Sequence, residues 1–267
     1  MKIDKLAAYL DEAGDDPASS CANLANLKIP YVALRHTWSS NINAISDESC
    51  QTLLKLLRDH DLSPILLASE VAANVGAKSL MSQQVALKRA FDLAQYFKTP
   101  LIRVGVGMYE KDCEESVASW MQLAQEMAIS TGVVPVLEVT HGCSLFNPID
   151  LVLALSKFRR WKILYDPAQF IVKQVQDPFI RYWTLVKNYA AAIDIHDYKI
   201  GHGHKPVGYG DTKMLHTLTD SLQSLPNMWY FLEPALGRKY GQEFTKLDVF
   251  KLGLKALVDL ENYDGKR

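Results

Sequence analysis

Short apolar and β-branched runs recur along the chain, and each is followed by a longer segment with the three-to-four-residue apolar spacing of a helix. Eight such pairs can be counted, and this alternation is typical of repeated βα units. The first run is ambiguous, because its alanine-rich sequence also suits a helix. The predicted strands are Lys5–Leu10, Tyr31–Leu34, Pro64–Ala68, Leu101–Val104, Val133–Glu138, Lys162–Tyr165, Ala191–Ile195 and Trp229–Leu232.

Residues that commonly begin or end helices support this count. No Gly/Ser/Pro-rich linker divides the chain, so we expect one domain over residues 1–267, an α/β fold with a single (β/α)8 TIM barrel. A doubly wound open sheet is the alternative, but no GxGxxG follows the first strand. The predicted helix starts are Asp47-Glu48, Asp112, Asn147-Pro148 and, for the seventh helix, Asp211-Thr212; Thr131-Gly132 is a predicted helix end.

Composition excludes some classes of function. The 29 Lys and Arg residues nearly balance the 30 Asp and Glu residues, which gives no indication of nucleic-acid binding. The amino terminus lacks the long apolar core of a signal peptide, and no later segment approaches a membrane span, so we expect a soluble cytoplasmic protein without nucleic-acid or membrane partners. The four cysteines form no CxxC pair, and we expect reduced thiols that mostly pack in the core.

The last four predicted strands each end in or carry an acid. Glu138 ends VVPVLE, Asp166 follows KILY, Asp194 lies in AAIDIHD, and Glu233 follows WYFL. Asp166 follows Glu138 by 28 residues and Asp194 follows Asp166 by 28, close to the ~30 residues of a βα repeat. Because the strand ends of such a barrel open onto one face, we expect the four carboxylates to converge there.

Each acid taken alone could equally cap a helix or meet solvent. Four converging carboxylates with nothing to offset their charge would cost several kcal/mol if partly desolvated. A bound divalent cation removes that difficulty. Oxygen ligands suit Mg²⁺ or Mn²⁺ best, although Co²⁺ and Zn²⁺ also accept them, so the identity of the metal stays open.

Several stretches resemble the motifs of the xylose-isomerase-like barrel superfamily, the sugar phosphate isomerase/epimerase group. They are LEVTHG, LYDPAQF, DIHDYK followed by KPVGYGDT, and FLEPAL, with YVALRHTW and LIRVGVG upstream, so the resemblance covers nearly the whole chain. In that family a Glu, an Asp, a His and a second Glu hold the metal, and the two Glu residues also exchange protons with the substrate. The resemblance implies Glu138, Asp166, Asp194 and Glu233 as metal ligands, with Glu138 and Glu233 as the catalytic pair.

The sequence departs from the family pattern in three motifs. HIKD reads DIHD here, so Asp194 replaces the imidazole ligand and His196 stands where a lysine is frequent. DPANF reads DPAQF at Gln169, and EPH reads EPA at Ala235. These changes leave the substrate open and keep a non-catalytic relative of the family among the alternatives.

The predicted substrate-binding residues are Arg35, Arg103, Gln169 and His196. His196 alternates with Asp194 along the strand, so both side chains point to the same side. Arg35 and Arg103 end the second and fourth strands, where a guanidinium suits a hydroxyl, carboxylate or phosphate group, and ion pairing with the rim acids is the alternative. Trp38 is among the aromatic residues that could form the apolar wall of a sugar site.

The residues and the resemblance together predict a metal-dependent isomerase or epimerase that moves a proton of a small sugar, sugar phosphate or keto-polyol through an enediolate. The alternatives are a dehydratase of a related hydroxy-keto substrate and a non-catalytic ligand-binding protein. An endonuclease acting on abasic DNA is disfavoured, because the chain lacks a basic excess and the additional histidines of a multinuclear zinc site. The expected partner is a small sugar-like molecule, and a homo-oligomer stays open.

Overall fold

The computed structural model describes residues 3–73, 80–108, 113–236 and 244–264. Eight parallel strands close a barrel in the order β1-β8-β7-β6-β5-β4-β3-β2. The predicted (β/α)8 TIM barrel is confirmed, and each predicted strand is present to within one residue at either end. The strands are β1 (Leu6–Tyr9), β2 (Tyr31–Leu34), β3 (Ser63–Leu67), β4 (Leu101–Arg103), β5 (Val134–Glu138), β6 (Lys162–Tyr165), β7 (Ala190–Ile195) and β8 (Trp229–Leu232).

The ambiguous first run is a strand because its position in the barrel outweighs the helix propensity of alanine. β1 pairs in parallel with β8 on one side and with β2 on the other. Ala7 and Ala8 are both fully buried, Ala7 in the barrel interior and Ala8 in the layer between barrel and helices. Small side chains on both faces let this strand close the barrel.

Helices surround the barrel, and most of the predicted helix boundaries are confirmed. One helix starts at Asp47, another starts at Pro148, and a third ends at Gly132, whose φ of 76° is the left-handed conformation that glycine adopts at helix ends. The predicted start at Asp112 lies outside the described residues. Two short helical stretches, Phe179–Trp183 and Thr184–Val186, precede β7. The longer helices of the described residues are α1 (Pro17–Asn26), α2 (Asp47–Asp59), α3 (Leu80–Tyr96), α4 (Glu114–Thr131), α5 (Pro148–Lys157), α6 (Pro167–Val172), α7 (Met214–Ser224) and α8 (Lys246–Asp264).

The predicted start of the seventh helix at Asp211-Thr212 is wrong, since α7 begins at Met214. Asp211 is occupied elsewhere: its Oδ2 accepts a hydrogen bond from the backbone N–H of Ile200 at 3.1 Å. Lys213, just before the helix, has a left-handed φ of 59°, which separates α7 from the preceding loop. The acid therefore closes the loop after β7 rather than capping the helix.

Two apolar layers form the core of the protein. The barrel interior is filled from alternate strand positions, and a larger layer packs between the strands and the helices. The four cysteines are buried and free, as expected. Within the described part of the chain, no helix combines the length and apolar character of a membrane span. The interior side chains include Ala7, Tyr9, Ala33, Leu66, Ala68, Val136, Leu164, Ala192 and Phe231.

Two short hairpins stand on the face where the strands end. The first, His36–Thr37 with Ser40–Asn41, follows β2, and the second, Asp197–Lys199 with Gly203–Lys205, follows β7. Since the carboxyl ends of β5 to β8 open onto this same face, the hairpins flank the predicted site.

Candidate active site

Three of the four predicted acids meet at the ends of β5, β6 and β7. One oxygen from each of Glu138, Asp166 and Asp194 lies within 4.8 Å of the other two. Asp166 and Asp194 are buried, and Glu138 is partly buried. Glu233, directly after β8, is not part of this three-oxygen group, and its carboxylate forms an ion pair with Arg35.

Asp166 is held by its own helix and by a histidine. It is the N-cap of α6, and its Oδ1 accepts from the backbone N–H of Ala168 at 2.9 Å. Gln169 Nε2 donates to Oδ2 at 2.9 Å, and His196 Nε2 donates to Oδ1 at 2.7 Å. Two predicted substrate-binding residues, Gln169 and His196, therefore bind a predicted metal ligand.

A side chain of β1 contacts the carboxylate of Asp194. The hydroxyl of Tyr9 donates to Asp194 Oδ1 at 3.0 Å and lies 3.3 Å from Oδ2. Both side chains are buried, and Tyr9 occupies the barrel interior. This contact fixes the orientation of the carboxylate that replaces the imidazole of the family pattern.

Each catalytic candidate is paired with one of the two predicted arginines. Arg103 Nη1 donates to Glu138 Oε2 at 2.6 Å, and Arg103 Nε donates to the backbone oxygen of Ser69 at 3.0 Å. Arg35 forms an ion pair with Glu233 and also lies over the ring of Tyr9, at 4.4 Å from its centroid. In the structure both arginines form ion pairs with rim acids, which is the alternative to direct substrate binding.

A further pair of acids completes the network around Arg35. Arg35 Nε donates to Asp11 Oδ2 at 3.1 Å, and Nη2 donates to Glu12 Oε1 at 3.0 Å. Both acids lie in the helical turn that follows β1. The guanidinium thus joins the end of β1 to Glu233 at the end of β8.

Cationic side chains of the protein therefore offset part of the converging negative charge, in addition to any divalent cation bound there. Arg103, Arg35 and His196 contact Glu138, Glu233 and Asp166, respectively. The cations were visible in the sequence, but their pairing depends on which strands are neighbours in the closed barrel.

The pKa values divide the acids into two groups. Burial and then the neighbouring Glu233 raise the pKa of Asp194 well above its usual range, and burial raises the pKa of Glu138 despite Arg103. Burial also acts on Glu233, but Arg35 outweighs it and lowers that pKa. The pKa of Asp166 is lowered because its contact with His196 outweighs burial.

The pKa of His196 is raised. Burial lowers its pKa, but the contact with Asp166 outweighs burial and raises the pKa to about 10. The Asp166–His196 contact is therefore a charged pair at neutral pH. Nδ1 of this imidazole is buried and has no hydrogen-bond partner among the described residues.

Hydrogen bonds to Asp197 hold the hairpin after β7 next to the acidic site. Asp197, on the opposite phase of the strand from His196, accepts hydrogen bonds from the backbone N–H groups of Tyr198, Gly208 and Thr212 at 2.9–3.1 Å. The ring of His204, in the second arm of the hairpin, lies 5.3 Å from the ring of His196. The loop after β7 thus packs against the site.

A cavity of about 350 Å³ adjoins Glu138 and Arg103. Val71, Val106 and Met108 contribute apolar surface to it. This volume lies within the ~300–1,000 Å³ typical of small-molecule sites. A small substrate could therefore lie directly against the Glu138 carboxylate.

The three-oxygen group fits a divalent cation. Its ligand atoms are carboxylate oxygens from three adjacent strands, and all-oxygen sets suit Mg²⁺ or Mn²⁺. The fit includes the Asp194 position, where the family pattern has histidine. Tyr9, Asp11 and Glu12 were not identified from the sequence, although they stand at or just after the end of β1, on the same rim.

Comparisons with known proteins agree with the fold. A family model described as xylose isomerase-like TIM barrel matches residues 21–245. No curated protein sequence matches the chain. Many solved structures share the fold.

A xylose isomerase-like TIM barrel protein from Mycobacterium smegmatis in complex with magnesium is 14% identical, covers 96% of each chain and has a TM-score of 0.72. D-allulose 3-epimerase from Methylomonas sp. in complex with D-allulose is 13% identical, with 97% of this chain and 96% of that chain covered and a TM-score of 0.72. The probable 3-DHS dehydratase AsbF from Bacillus anthracis is 13% identical, with 95% and 98% covered and a TM-score of 0.75. At these identities the likeness establishes the fold.

Proposed function

This chain belongs to the family of xylose isomerase-like TIM barrels, and on that premise we propose that it is a metal-dependent isomerase or epimerase of a small sugar, sugar phosphate or keto-polyol. The observation that carries the proposal is the approach of Glu138, Asp166 and Asp194 to within 4.8 Å on the rim of the barrel. Magnesium in one structural neighbour and D-allulose in another support the same class of chemistry.

Glu138, Asp166 and Asp194 would hold the cation, with Glu233 beside them. A divalent ion there would polarise a substrate carbonyl and stabilise negative charge on the adjacent oxygens. Mn²⁺, Mg²⁺, Co²⁺ and Zn²⁺ are all candidates, and the carboxylate oxygens favour the first two. Asp166 and Asp194 serve only as ligands in this proposal.

Glu138 and Glu233 move the proton. One carboxylate takes it from the carbon next to the carbonyl, and the other returns it to the resulting enediolate. Arg103 engages Oε2 of Glu138 and Arg35 engages Oε1 of Glu233. We therefore assign proton transfer to the second oxygen of each carboxylate, while the arginine holds the first.

His196 would orient the substrate. Its Nε2 is fixed on Asp166, while its buried Nδ1 has no partner among the described residues, so Nδ1 is free to bind a substrate oxygen. Arg35, Arg103 and Gln169 act mainly by positioning the acids that they contact. For these three residues, we propose this positioning role in place of the direct substrate binding that the sequence predicts.

A dehydratase is the second candidate, because the same enediolate can expel a hydroxyl group on the next carbon. The likeness to AsbF, a probable dehydratase, keeps this candidate open. Identifying the product by NMR separates the two reactions: an isomer or epimer supports the first, and a product that has lost water supports the second.

The decisive experiment follows solvent deuterium into the substrate carbon next to the carbonyl. The Mn²⁺-loaded protein should exchange deuterium into at least one member of a panel of ketopentoses, ketohexoses and ketose phosphates. Glu138→Gln and Glu233→Gln should each slow exchange ~10²–10⁴-fold, because an amide cannot shuttle a proton.

Glu115→Gln, at an exposed position of α4, is the matched control and should exchange at the unmodified rate. Metal content must be measured in every variant, since Glu138→Gln also removes a ligand oxygen. If the fully metal-loaded protein exchanges no deuterium into any member of the panel, the isomerase proposal fails for those substrates. Tight binding without exchange would instead indicate a ligand-binding relative.

A further inference from the structure

The cavity beside Glu138 is formed by the loops that follow β3, β4 and β5. Its volume is about 350 Å³, and of the four rim acids its described lining includes only Glu138. The cavity therefore lies to one side of the acidic cluster. A substrate held at the Glu138 carboxylate can extend the rest of its chain into this space.

Aliphatic side chains present accessible surface in this cavity. Val71 and Ala72 are half-buried, and Met108 is 61% exposed. The thioether of Met108 lies across Gly142 in the loop after β5, where an added Cβ would be 2.5 Å from Cε and 3.3 Å from Sδ. The wall between the loops after β4 and β5 is therefore an apolar, unbranched and adaptable side chain.

The backbone groups of these loops are paired with one another. The N–H of Gly105 donates to the oxygen of Val71 at 2.8 Å, and the N–H of Ala73 donates to the oxygen of Gly105 at 3.3 Å. The N–H of Ser144 donates to the oxygen of Gly107 at 3.1 Å. A substrate hydroxyl in this cavity would find these N–H donors already used.

Most neutral polar side chains of the described lining are also occupied or buried. The buried hydroxyl of Ser69 accepts from Nδ2 of Asn43 at 3.2 Å and from the backbone N–H of Val71 at 2.9 Å. Cys143 is buried, and Thr140 is partly exposed. A hydroxyl group that leaves water for this cavity would therefore lose hydrogen bonds that the lining does not replace.

The charged side chains that line the cavity among the described residues are Glu70, Glu138 and Arg103, so negative charge is in excess. The positive charge of Arg103 is already paired. Its Nη1 donates to Glu138 Oε2 at 2.6 Å, and its Nε donates to the backbone oxygen of Ser69 at 3.0 Å. Arg103 is therefore not available to a substrate phosphate.

His36 lies next to Glu70, outside the lining. Its Nε2 is 3.0 Å from Glu70 Oε1, and its Nδ1 is 3.5 Å from Asp11 Oδ2. A protonated His36 would at most neutralise Glu70 and would leave no positive charge over for a phosphate. A phosphate in this cavity would thus meet the exposed carboxylate of Glu70 without a cation to offset the repulsion.

We propose that this cavity receives the end of a ketose remote from its carbonyl, and that this end is a methyl group rather than a hydroxymethyl or phosphorylated group. A methyl group needs no hydrogen-bond partner and gains contact with Val71, Ala72 and Met108. The substrate class is then a neutral 6-deoxyketose. The placement of the ketose rests on the proposed function, in which Glu138 moves the proton.

Calorimetry on the Mn²⁺-loaded protein tests this preference with ketoses that differ only at C6. The series are 6-deoxy-L-fructose with L-fructose, 6-deoxy-L-tagatose with L-tagatose, and 6-deoxy-D-allulose with D-allulose and D-allulose 6-phosphate. At least one deoxyketose should bind ~10–100-fold tighter than its hydroxylated partner, the range over which an apolar pocket discriminates against an added hydroxyl. D-allulose 6-phosphate should bind more weakly than D-allulose.

Met108→Gln and Glu70→Lys change the apolar and the charged part of the lining separately. Glutamine keeps an unbranched shape and adds hydrogen-bonding groups, so Met108→Gln should remove most of the preference for the deoxyketose. Glu70→Lys should raise the affinity for D-allulose 6-phosphate relative to D-allulose at least tenfold. Both positions are exposed, so neither change disturbs the core.

The matched controls are Leu153→Gln on α5 and Glu115→Lys on α4. Both positions are exposed and lie outside the lining of this cavity. Neither control should change the ratio of the deoxyketose affinity to the ketose affinity, or that of the phosphate affinity to the ketose affinity.

Three outcomes overturn the proposal. The first is that no deoxyketose binds tighter than its hydroxylated partner, and the second is that the preference survives unchanged in Met108→Gln. The third is that D-allulose 6-phosphate binds tighter than 6-deoxy-D-allulose, which would make the cavity a phosphate site. Failure of the proposed function is distinguishable, since it appears as absent deuterium exchange whatever the affinity ratios are.

Discussion

The hydroxyl of Tyr9 donates a hydrogen bond to Asp194 Oδ1 at 3.0 Å, across 185 positions of sequence. Asp194 occupies the position where the family pattern has a histidine ligand. A carboxylate can rotate and offer either oxygen, whereas an imidazole offers one ring nitrogen at a time. The phenol of Tyr9 restricts that freedom, which makes the aspartate a more defined ligand.

We expect Tyr9→Phe to weaken Mn²⁺ binding about tenfold, because groups that orient metal ligands typically contribute 10–100-fold to affinity. The measurement is calorimetric titration of Mn²⁺ into chelator-treated protein. Tyr165→Phe is the matched control, since Tyr165 is equally buried but its hydroxyl donates to the backbone oxygen of Pro178. Equal Mn²⁺ affinity in the two variants would contradict this role for Tyr9.

A divalent ion should raise the melting temperature of the chelator-treated protein. An ion that binds only the folded state adds ~2.7 kcal/mol to the free energy of unfolding at a hundred times its dissociation constant. Asp194→Asn should show a smaller increase, because it loses a charged ligand. Melting temperatures that do not respond to Mn²⁺, Mg²⁺, Co²⁺ or Zn²⁺ would count against a metal site.

The strands and the acids were predictable because both depend on local sequence. Period-two burial and a short apolar run define a strand, and the rule that strand ends share one face brings Glu138, Asp166 and Asp194 together. The separation of Glu233 from this group was not predictable. Glu233 is instead paired with Arg35, which directly follows β2, a strand that is not next to β8 in the barrel.

The remainder of the site depends on barrel closure, which short-range patterns do not encode. β1 lies beside β8, so Tyr9 reaches Asp194 and the acids after β1 reach Arg35. The start of α7 was misjudged for a similar reason, since Asp211 bonds to Ile200 across the loop. An acid before a helix looks like a cap in the sequence, whichever backbone N–H it binds in the fold.

Gly107→Ala should destabilise the protein more than Gly132→Ala does. Both glycines have positive φ, at 81° and 76°, so both substitutions carry the ~1–2 kcal/mol of left-handed strain. A Cβ on Gly107 would also lie 2.1 Å from the backbone oxygen of Ala73, whereas one on Gly132 meets nothing within 4 Å. We expect a further ~1–3 kcal/mol for Gly107→Ala, measured by urea unfolding. Equal losses would show that the loop after β3 moves aside without cost.

Asp16 should contribute a pH-dependent part of the stability. It caps α1, accepting from the backbone N–H groups of Ala18 and Ser19 at 2.8 and 3.1 Å, and the hydrogen bonds from Ser19 lower its pKa. A lowered pKa stabilises the fold above the pKa of the unfolded chain, and this stabilisation is lost as the pH falls through the folded value. Asp16→Ala should cost about 1 kcal/mol of the free energy of unfolding at pH 7, and progressively less as the acid protonates.

Asp16→Asn should keep most of the cap without this pH dependence, and Asp15→Ala, at an exposed neighbouring position, is the control. Urea unfolding from about pH 7 to 3.5 measures the difference, and a cost of Asp16→Ala that stays constant over that range would refute the charged cap.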